Sequence, residues 1–366
     1  MKNTIGNSVT LTLFGESHGP AIGAVLDGIA PGIKVDEGFI AAQLARRRPC
    51  SPTDTPRVEK DEFSILSGVY EGFTTGQPLA IVIPNENVRS TDYEKGIARP
   101  SHADFTAHAK FHGFEDPRGG GHFSGRVTAA IVAAGAICRQ ALEAKGISLA
   151  THILSCAGVR DEDLAGCDPD ELGGKISTVN AKSFPVILDI EAEVSAGILK
   201  AREQQDSIGG TIQTAVCGVP AGVGEPWFDS LEGMIAHAVF AIGGIKGVEF
   251  GKGFAMDGLR GSQVNDSLRI RDGKVVTATN NNGGINGGIS NGMPIVFNMA
   301  VKPTPSIART QQSVDFLQGK EVELNLKGRH DPAIIRRICP VVSSLTAVVL
   351  CDALALRYGT DWLAAR

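Results

Sequence analysis

The alternation of apolar and polar positions marks strands from the first residues onward. Ser8 to Phe14 (SVTLTLF) alternates and predicts a strand that runs straight into Gly15-Glu16-Ser17-His18-Gly19. Ile22 to Leu26 predicts a second. Further strands are expected at Phe63 to Leu66, Leu79 to Ile83, Ile153 to Val159, Thr211 to Val219 and Ile295 to Ala300. Helical spacing first appears after Asp36, a good N-cap, with Phe39, Ile40 and Leu44 on one face and a stop before Pro49. The longest helix is expected from about Arg126 to Lys145, after Gly119-Gly120-Gly121 and before Gly146. Another spans about Leu231 to Ala241, capped by Ser230. A third should start at Asp331-Pro332, with aspartate as cap and proline at the first helical position. Pro340 is expected to interrupt it before Val341 to Leu356 resumes it. Strands and helices mix without a regular βαβ beat, so the fold class reads as α+β. No low-complexity linker divides the chain. The run Asn280 to Gly292 (NNNGGINGGISNG) admits two readings, a flexible linker or a structured ligand loop.

Composition narrows the function classes. The chain has 366 residues and a formal charge of −5, which argues against a general nucleic-acid binder. A local arginine cluster for an anionic small molecule is compatible with that total. Forty-five glycines, many of them clustered, point to tight turns and close approaches of backbone to ligand. Seven scattered cysteines without a C-x-x-C pair read as reduced thiols and a cytoplasmic protein. Lys2 is not followed by an apolar run, so no signal peptide is expected. The most apolar helical stretch, about Ala129 to Cys138, ends at Arg139, well short of the ~20 residues of a membrane span.

Chemistry-bearing residues gather in a few loops. Gly119 to Gly121, followed by His122, Phe123, Ser124 and Arg126, form an anion-binding candidate at a helix start. The spacing matches neither a Walker loop nor G-x-G-x-x-G. Arg46-Arg47-Arg48 closes a predicted helix, where three consecutive side chains cannot all face one pocket. His102 sits in Arg99-Pro100-Ser101-His102-Ala103-Asp104, where the arginine and aspartate can hold an anion or set the imidazole's protonation. His108 and His112 follow at helical spacing, but no third ligand is evident and no metal is expected. Lys302-Pro303-Thr304-Pro305-Ser306 is a stiffened loop after a strand. Arg329-His330-Asp331 admits a site or a local ion pair with a helix cap.

Together these segments resemble the chorismate synthase family. The match runs through GESHG at 15–19, RRRP at 46–49, RPSHAD at 99–104, RGGG at 118–121 and KGVEFGKGF at 246–254. It continues through RGSQ at 260–263, NNNGGINGGIS at 280–290, KPTPSI at 302–307 and GRHDP at 328–332. The resemblance implies a single large domain over 1–366, a β-α-β sandwich peculiar to that family, and a homotetramer. It implies 1,4-elimination of phosphate from 5-enolpyruvylshikimate 3-phosphate to give chorismate, dependent on reduced FMN, with NADPH as a possible flavin reductant. No membrane partner is expected.

By the same resemblance, His18, His102 and Asp331 are the proton-transfer residues: His102 near the leaving phosphate, His18 near the reduced ring, Asp331 at the proton lost from C6. FMN would lie along His122, Phe123, Ser124, Gly243, Gly244, Gly287, the loop Lys302, Pro303, Thr304, Pro305, Ser306, and Arg329. Arg47, Arg48 and Arg126 would serve the substrate or a pyridine nucleotide. The commonest family pattern reads GGGRSSARE where this chain has GGGHFSGRV. His122 thus stands for an arginine and Phe123 for a serine. Thr53 stands where a second arginine is expected, and Gly243-Gly244 where Asn-Ala is usual.

Overall fold

The computed structural model describes residues 2–55, 59–86, 95–326 and 331–364. In chain order its main elements begin with β1 (Thr10–Gly15), β2 (Ala21–Asp27), α1 (Glu37–Arg47) and β3 (Leu79–Pro84). Next come α2 (Asp104–Phe111), α3 (Thr128–Glu143), β4 (Ser148–Cys156), α4 (Pro169–Ala181) and α5 (Glu191–Glu203). Then follow β5 (Gly210–Cys217), α6 (Leu231–Phe240), β6 (Ile245–Phe250) and β7 (Ile295–Val301). The hairpin β8 (Gln311–Asp315) and β9 (Lys320–Leu324) precedes α7 (Ile335–Tyr358).

Two antiparallel five-stranded sheets enclose a layer of helices. One sheet is ordered Thr4–Ile5, β1, β2, β3, Ser64–Ile65; the other β6, β7, β5, β4, Val159–Arg160. Helices α1, α3 and α7 pack between them, so the expected β-α-β sandwich is present. The second sheet alternates as period-2 geometry requires. Leu149, Val216 and Ile295 face the central core, while Ala150, Ala215 and Val296 face α4 through its Leu172, Ile176 and Val179.

The caps follow the sequence rules. Asp36 accepts from Phe39 N at the start of α1, and Ser230 accepts from Gly233 N at the start of α6. Gly146 lies past the end of α3 at φ +74°. Gly135 is required by packing: a Cβ there would lie 2.5 Å from Ser344 Cβ, so its absence lets α3 and α7 approach closely.

Three expectations need correction. The final helix starts at Ile335, not at Asp331-Pro332, and its N-cap Ile334 makes no side-chain cap bond. The Asp331 carboxylate is engaged elsewhere, by Thr55 N and Arg337. Pro340 does not interrupt the helix. It sits in the second turn, where its missing N–H removes only one early intrahelical bond, and the surrounding core holds the rest. Among the described residues the helix long and apolar enough to cross a membrane is α7, not the 129–138 stretch, and its apolar stretch is buried between the sheets. Its Asp352, also buried, accepts from the backbone N of Asn7, Ser8 and Val9 at 3.0, 2.6 and 2.9 Å.

The asparagine-rich run is structured. Asp266 accepts from Asn281 N and Asn282 N, and Ile285–Asn286 pairs with Ile289–Ser290 around Gly287-Gly288. All seven cysteines are free thiols, and burial pushes the Cys339 thiol up to about 12.

Candidate active site

β1 ends at Gly15, and its carbonyl accepts from His122 Nδ1 at 2.8 Å. Two residues on, Ser17 N donates to Gly121 O at 3.0 Å. These bonds join the 15–19 turn to the 118–122 loop. Gly119, Gly120 and Gly121 have φ of +60°, +84° and +52°, a left-handed run that L-residues adopt only with strain. Because of it α3 begins at Thr128 rather than Arg126, after two short 3₁₀ turns. The glycines also make space. A Cβ on Gly119 would lie 2.2 Å from His18 Cε1, and one on Gly120 would lie 3.0 Å from His102 Cε1. His18 and His102, far apart in sequence, therefore meet on adjacent residues of one loop. His18 is buried, with Nδ1 3.2 Å from Ser17 Oγ.

His102 is held by charge. Its Nδ1 donates to Asp104 Oδ1 at 2.8 Å, and Arg99 grips the same carboxylate through Nε at 2.8 Å and Nη2 at 2.7 Å. Burial pushes the Asp104 carboxyl up, but the hydrogen bonds from Arg99 and His102 outweigh it and hold the group well below the usual carboxylate range. A carboxyl depressed on folding stabilises the fold above its unfolded pKa of about 4 and loses that contribution as pH falls toward its lower folded value. Asp104→Asn should therefore be less stable than wild type near neutrality, with the gap closing below about pH 4. Urea midpoints measured from pH 3 to 7 test this; a gap that stays constant with pH would rule out the charge as its source.

The arginines divide by environment. Arg47 and Arg126 are buried and share Asp61: Arg47 Nη2 lies 3.4 Å from Oδ2, and Arg126 Nη1 bonds Oδ1. Arg126 also donates to Asn85 Oδ1 and Pro84 O, and Arg47 to Gly125 O. Burial lowers the Arg47 guanidinium to about 10, against the pull of Asp61. Arg48 reaches Lys60 O at 2.7 Å. Arg336 and Arg337 donate to the carbonyls of Arg46, Arg47 and Arg48, so the end of α1 is held by the start of α7.

The remaining predicted residues fall into two places. Lys302 N donates to Gly244 O at 2.9 Å and Lys302 Nζ to Ser101 O at 2.6 Å, which brings Gly243-Gly244 and the 302–306 loop beside the His102 loop. Burial, then the neighbouring charge of Lys246, lowers the Lys302 ammonium. In that loop Pro303 packs by Gly209, Thr304 O accepts from Ser207 Oγ, Thr304 Oγ1 is buried without a partner, and Ser306 is buried. Gly287 lies elsewhere, in a turn whose Gly288 packs on Glu225 and Ser230. Ser124 caps the second 3₁₀ turn by accepting from Arg126 N. Arg329 is outside the described residues.

A cavity of about 890 Å³ opens beside the glycine loop, within the size range of small-molecule sites. Arg99, His102, Gly120, His122 and Phe123 line it; Arg47, Arg48 and Arg126 do not. Phe111 and Phe114 add aromatic wall, and Phe111 meets Phe123 edge-on at 6.1 Å. A more open hollow of about 700 Å³ beside α5 has, among the described residues, no histidine or carboxylate in its lining. Among the described residues no three His, Cys, Asp or Glu side chains gather to hold a metal. Sequence reasoning missed Asp61 as the partner of two arginines and His108 and Glu115 as cavity residues. In the sequence His108 stood out only through its spacing of four from His112, which gives no signal for the cavity.

Carboxylate-backed imidazoles beside a cavity with cationic and aromatic walls have the make-up of an enzyme site for a small molecule. Comparison with known proteins makes the assignment specific. A family model described as chorismate synthase matches residues 9–355. The chain is 44% identical to a chorismate synthase of Pyrococcus abyssi, over 96% of this chain and 97% of the relative. It is equally 44% identical to one of Desulfovibrio desulfuricans, over 97% of each. A solved structure titled "Crystal Structure of Chorismate Synthase" superposes with a TM-score of 0.77 at 30% identity, covering 97% of this chain and 94% of that one. The chain belongs to the chorismate synthase family, and so to the carbon–oxygen lyases that act on phosphates.

Proposed function

We propose that the chain converts 5-enolpyruvylshikimate 3-phosphate to chorismate and phosphate, the last step of the shikimate pathway, with reduced FMN as cofactor. The observation that carries this is the meeting of His18 and His102 on Gly119 and Gly120, with His122 and Phe123 continuing into the cavity. The cavity suits a flavin: Phe111, Phe114 and Phe123 offer faces to a flat ring, while Arg99 and His122 offer donors to a phosphate. Reduced FMN, when bound, supplies electron density to the substrate as phosphate leaves and takes it back. His102, oriented by Asp104, gives the departing phosphate a proton. His18 serves as the second proton donor, at the flavin ring. Asp331, held by Thr55 N and Arg337, helps accept the proton lost from C6. Ser124, Gly243-Gly244, the 302–306 loop and Arg329 complete the cofactor's surroundings in this reading, and Gly287, in its separate turn, falls outside them. Arg48 and Arg329 serve the substrate's carboxylates. Arg47 and Arg126 support the site through Asp61.

Thr53, in place of an arginine, favours flavin reduced from outside over reduction by NADPH at this site. The protein is cytoplasmic and a homotetramer in this reading, and exposed Trp227, Phe228 and Phe254 supply apolar surface for such an assembly.

The test is an anaerobic assay with substrate and chemically reduced FMN, following chorismate absorbance and phosphate release. Product in both channels supports the reading; folded, FMN-binding protein without product overturns it. Gly119→Ala sharpens the assignment. Its Cβ would collide with the His18 ring, and a misplacement of about 1 Å can cost ~10²-fold in rate. A fall in kcat of about that size is expected, whereas unchanged kcat would remove His18 from the chemistry.

A further inference from the structure

The cavity holds an imidazole that the reaction above does not use. His108 lies in the last turn of α2 and lines the cavity with His102 and His122. Its Nδ1 is 3.1 Å from Glu115 Oε1, its ring centroid is 4.8 Å from that of Phe316, and a Cβ on Gly113 would come within 3.0 Å of its Cε1. A carboxylate at one edge, an aromatic ring at the face and a glycine that leaves room thus fix the ring.

All three cavity histidines share one arrangement. Each has Nδ1 against an acceptor of the protein: Asp104 Oδ1 for His102, Glu115 Oε1 for His108, Gly15 O for His122. An acceptor there places a proton on Nδ1 and leaves Nε2 for a ligand. Glu115 Oε2 is buried without a hydrogen-bond partner, and the other oxygen of this carboxylate faces His108 Nδ1. Lys95 also lines the cavity. It adjoins Gly96, whose carbonyl accepts from Phe316 N.

The geometry points to His108 as a positioning residue for the cavity's ligand: its Nε2–H binds an anionic oxygen, phosphate or carboxylate, while Glu115 holds the opposite nitrogen. The inference rests on the elimination reading above, in which the flavin carries a phosphate and the substrate carries a phosphate and two carboxylates.

The experiment compares wild type with His108→Phe and His108→Gln. Phenylalanine keeps a ring against Phe316 and removes the donor; glutamine restores a neutral donor. Dissociation constants for FMN and for riboflavin are read by flavin fluorescence, and KM and kcat by chorismate formation. Loss of a charge-assisted hydrogen bond lowers affinity about tenfold or more. A rise of that size for FMN but not riboflavin assigns His108 to the flavin phosphate. A rise in KM with kcat within about threefold assigns it to the substrate. In either case glutamine should recover part of the loss. Constants within about twofold in folded His108→Phe protein, or a fall in kcat alone, would overturn the proposal. If His108→Phe does not fold, Glu115→Gln is read the same way, with a smaller rise expected and no change overturning it. Absence of chorismate from the wild type would sink the elimination reading, while the FMN and riboflavin comparison would still read His108.

Discussion

Replacing His102 with alanine is expected to lower turnover by about 10²- to 10⁴-fold, the usual worth of a positioned general acid. FMN affinity should change much less. The separation follows from how the loop is built. Arg99 binds Asp104 through its backbone N, Nε and Nη2, and none of these bonds involves the imidazole. Alanine at 102 therefore leaves the loop clamped and removes only the ring that lies against Gly120. The readouts are kcat in the anaerobic assay and the FMN dissociation constant by fluorescence. Turnover within about threefold of wild type would mean that another group protonates the leaving phosphate.

The largest stability effect is expected at Asp61. Its side chain is fully buried and stands between two buried guanidiniums, those of Arg47 and Arg126. Arg47 also feels the like charge of Arg337. Asp61→Ala would leave both guanidiniums without their carboxylate, and breaking a buried pair by removing one partner costs about 3–5 kcal/mol. Position 61 has φ +55°, which alanine tolerates poorly. Asp61→Asn separates these causes, because asparagine accepts the left-handed backbone and removes only the charge. Most of the loss should persist in Asp61→Asn, read as the shift in urea midpoint at constant m-value. As a control, Glu62 is mostly exposed and lies 3.9 Å from an equally exposed Lys60, so Glu62→Ala should leave the midpoint unmoved. A midpoint for Asp61→Asn equal to that of wild type would show that the buried cluster does not hold the fold.

Features with local causes were legible in the sequence. Asp36 and Ser230 cap the helices they were expected to cap, because a side-chain oxygen three residues before a free N–H needs nothing from the rest of the fold. Asp331 has the same local signature and does not cap, because Thr55 N and Arg337 claim its carboxylate from elsewhere in the fold. α4 carried a signal that was overlooked: Asp168 before Pro169, then Leu172, Ile176 and Val179 on one face. α5 buries only Val194 and Ile198, too few to reveal its period.

At the site, sequence pointed to the loops but not to the pairings. An arginine in a motif suggests an anion. Whether that anion is a ligand or Asp61 depends on a contact that spans 14 residues for Arg47 and 65 for Arg126. The same holds for His108, whose partnership with Glu115 depends on the turn at Gly113.

The place of α7 has a consequence for how the protein is made. Synthesis proceeds from the N-terminus at about 5–20 residues per second. Asp352, which holds the backbone of Asn7, Ser8 and Val9, emerges 343 to 345 residues after them. Until then the central helix layer lacks α7, and the apolar faces packed on it remain uncovered. The nascent chain must therefore wait, sticky and incomplete, for α7. A chain cut short before α7 is a client for chaperones and proteases rather than a smaller enzyme.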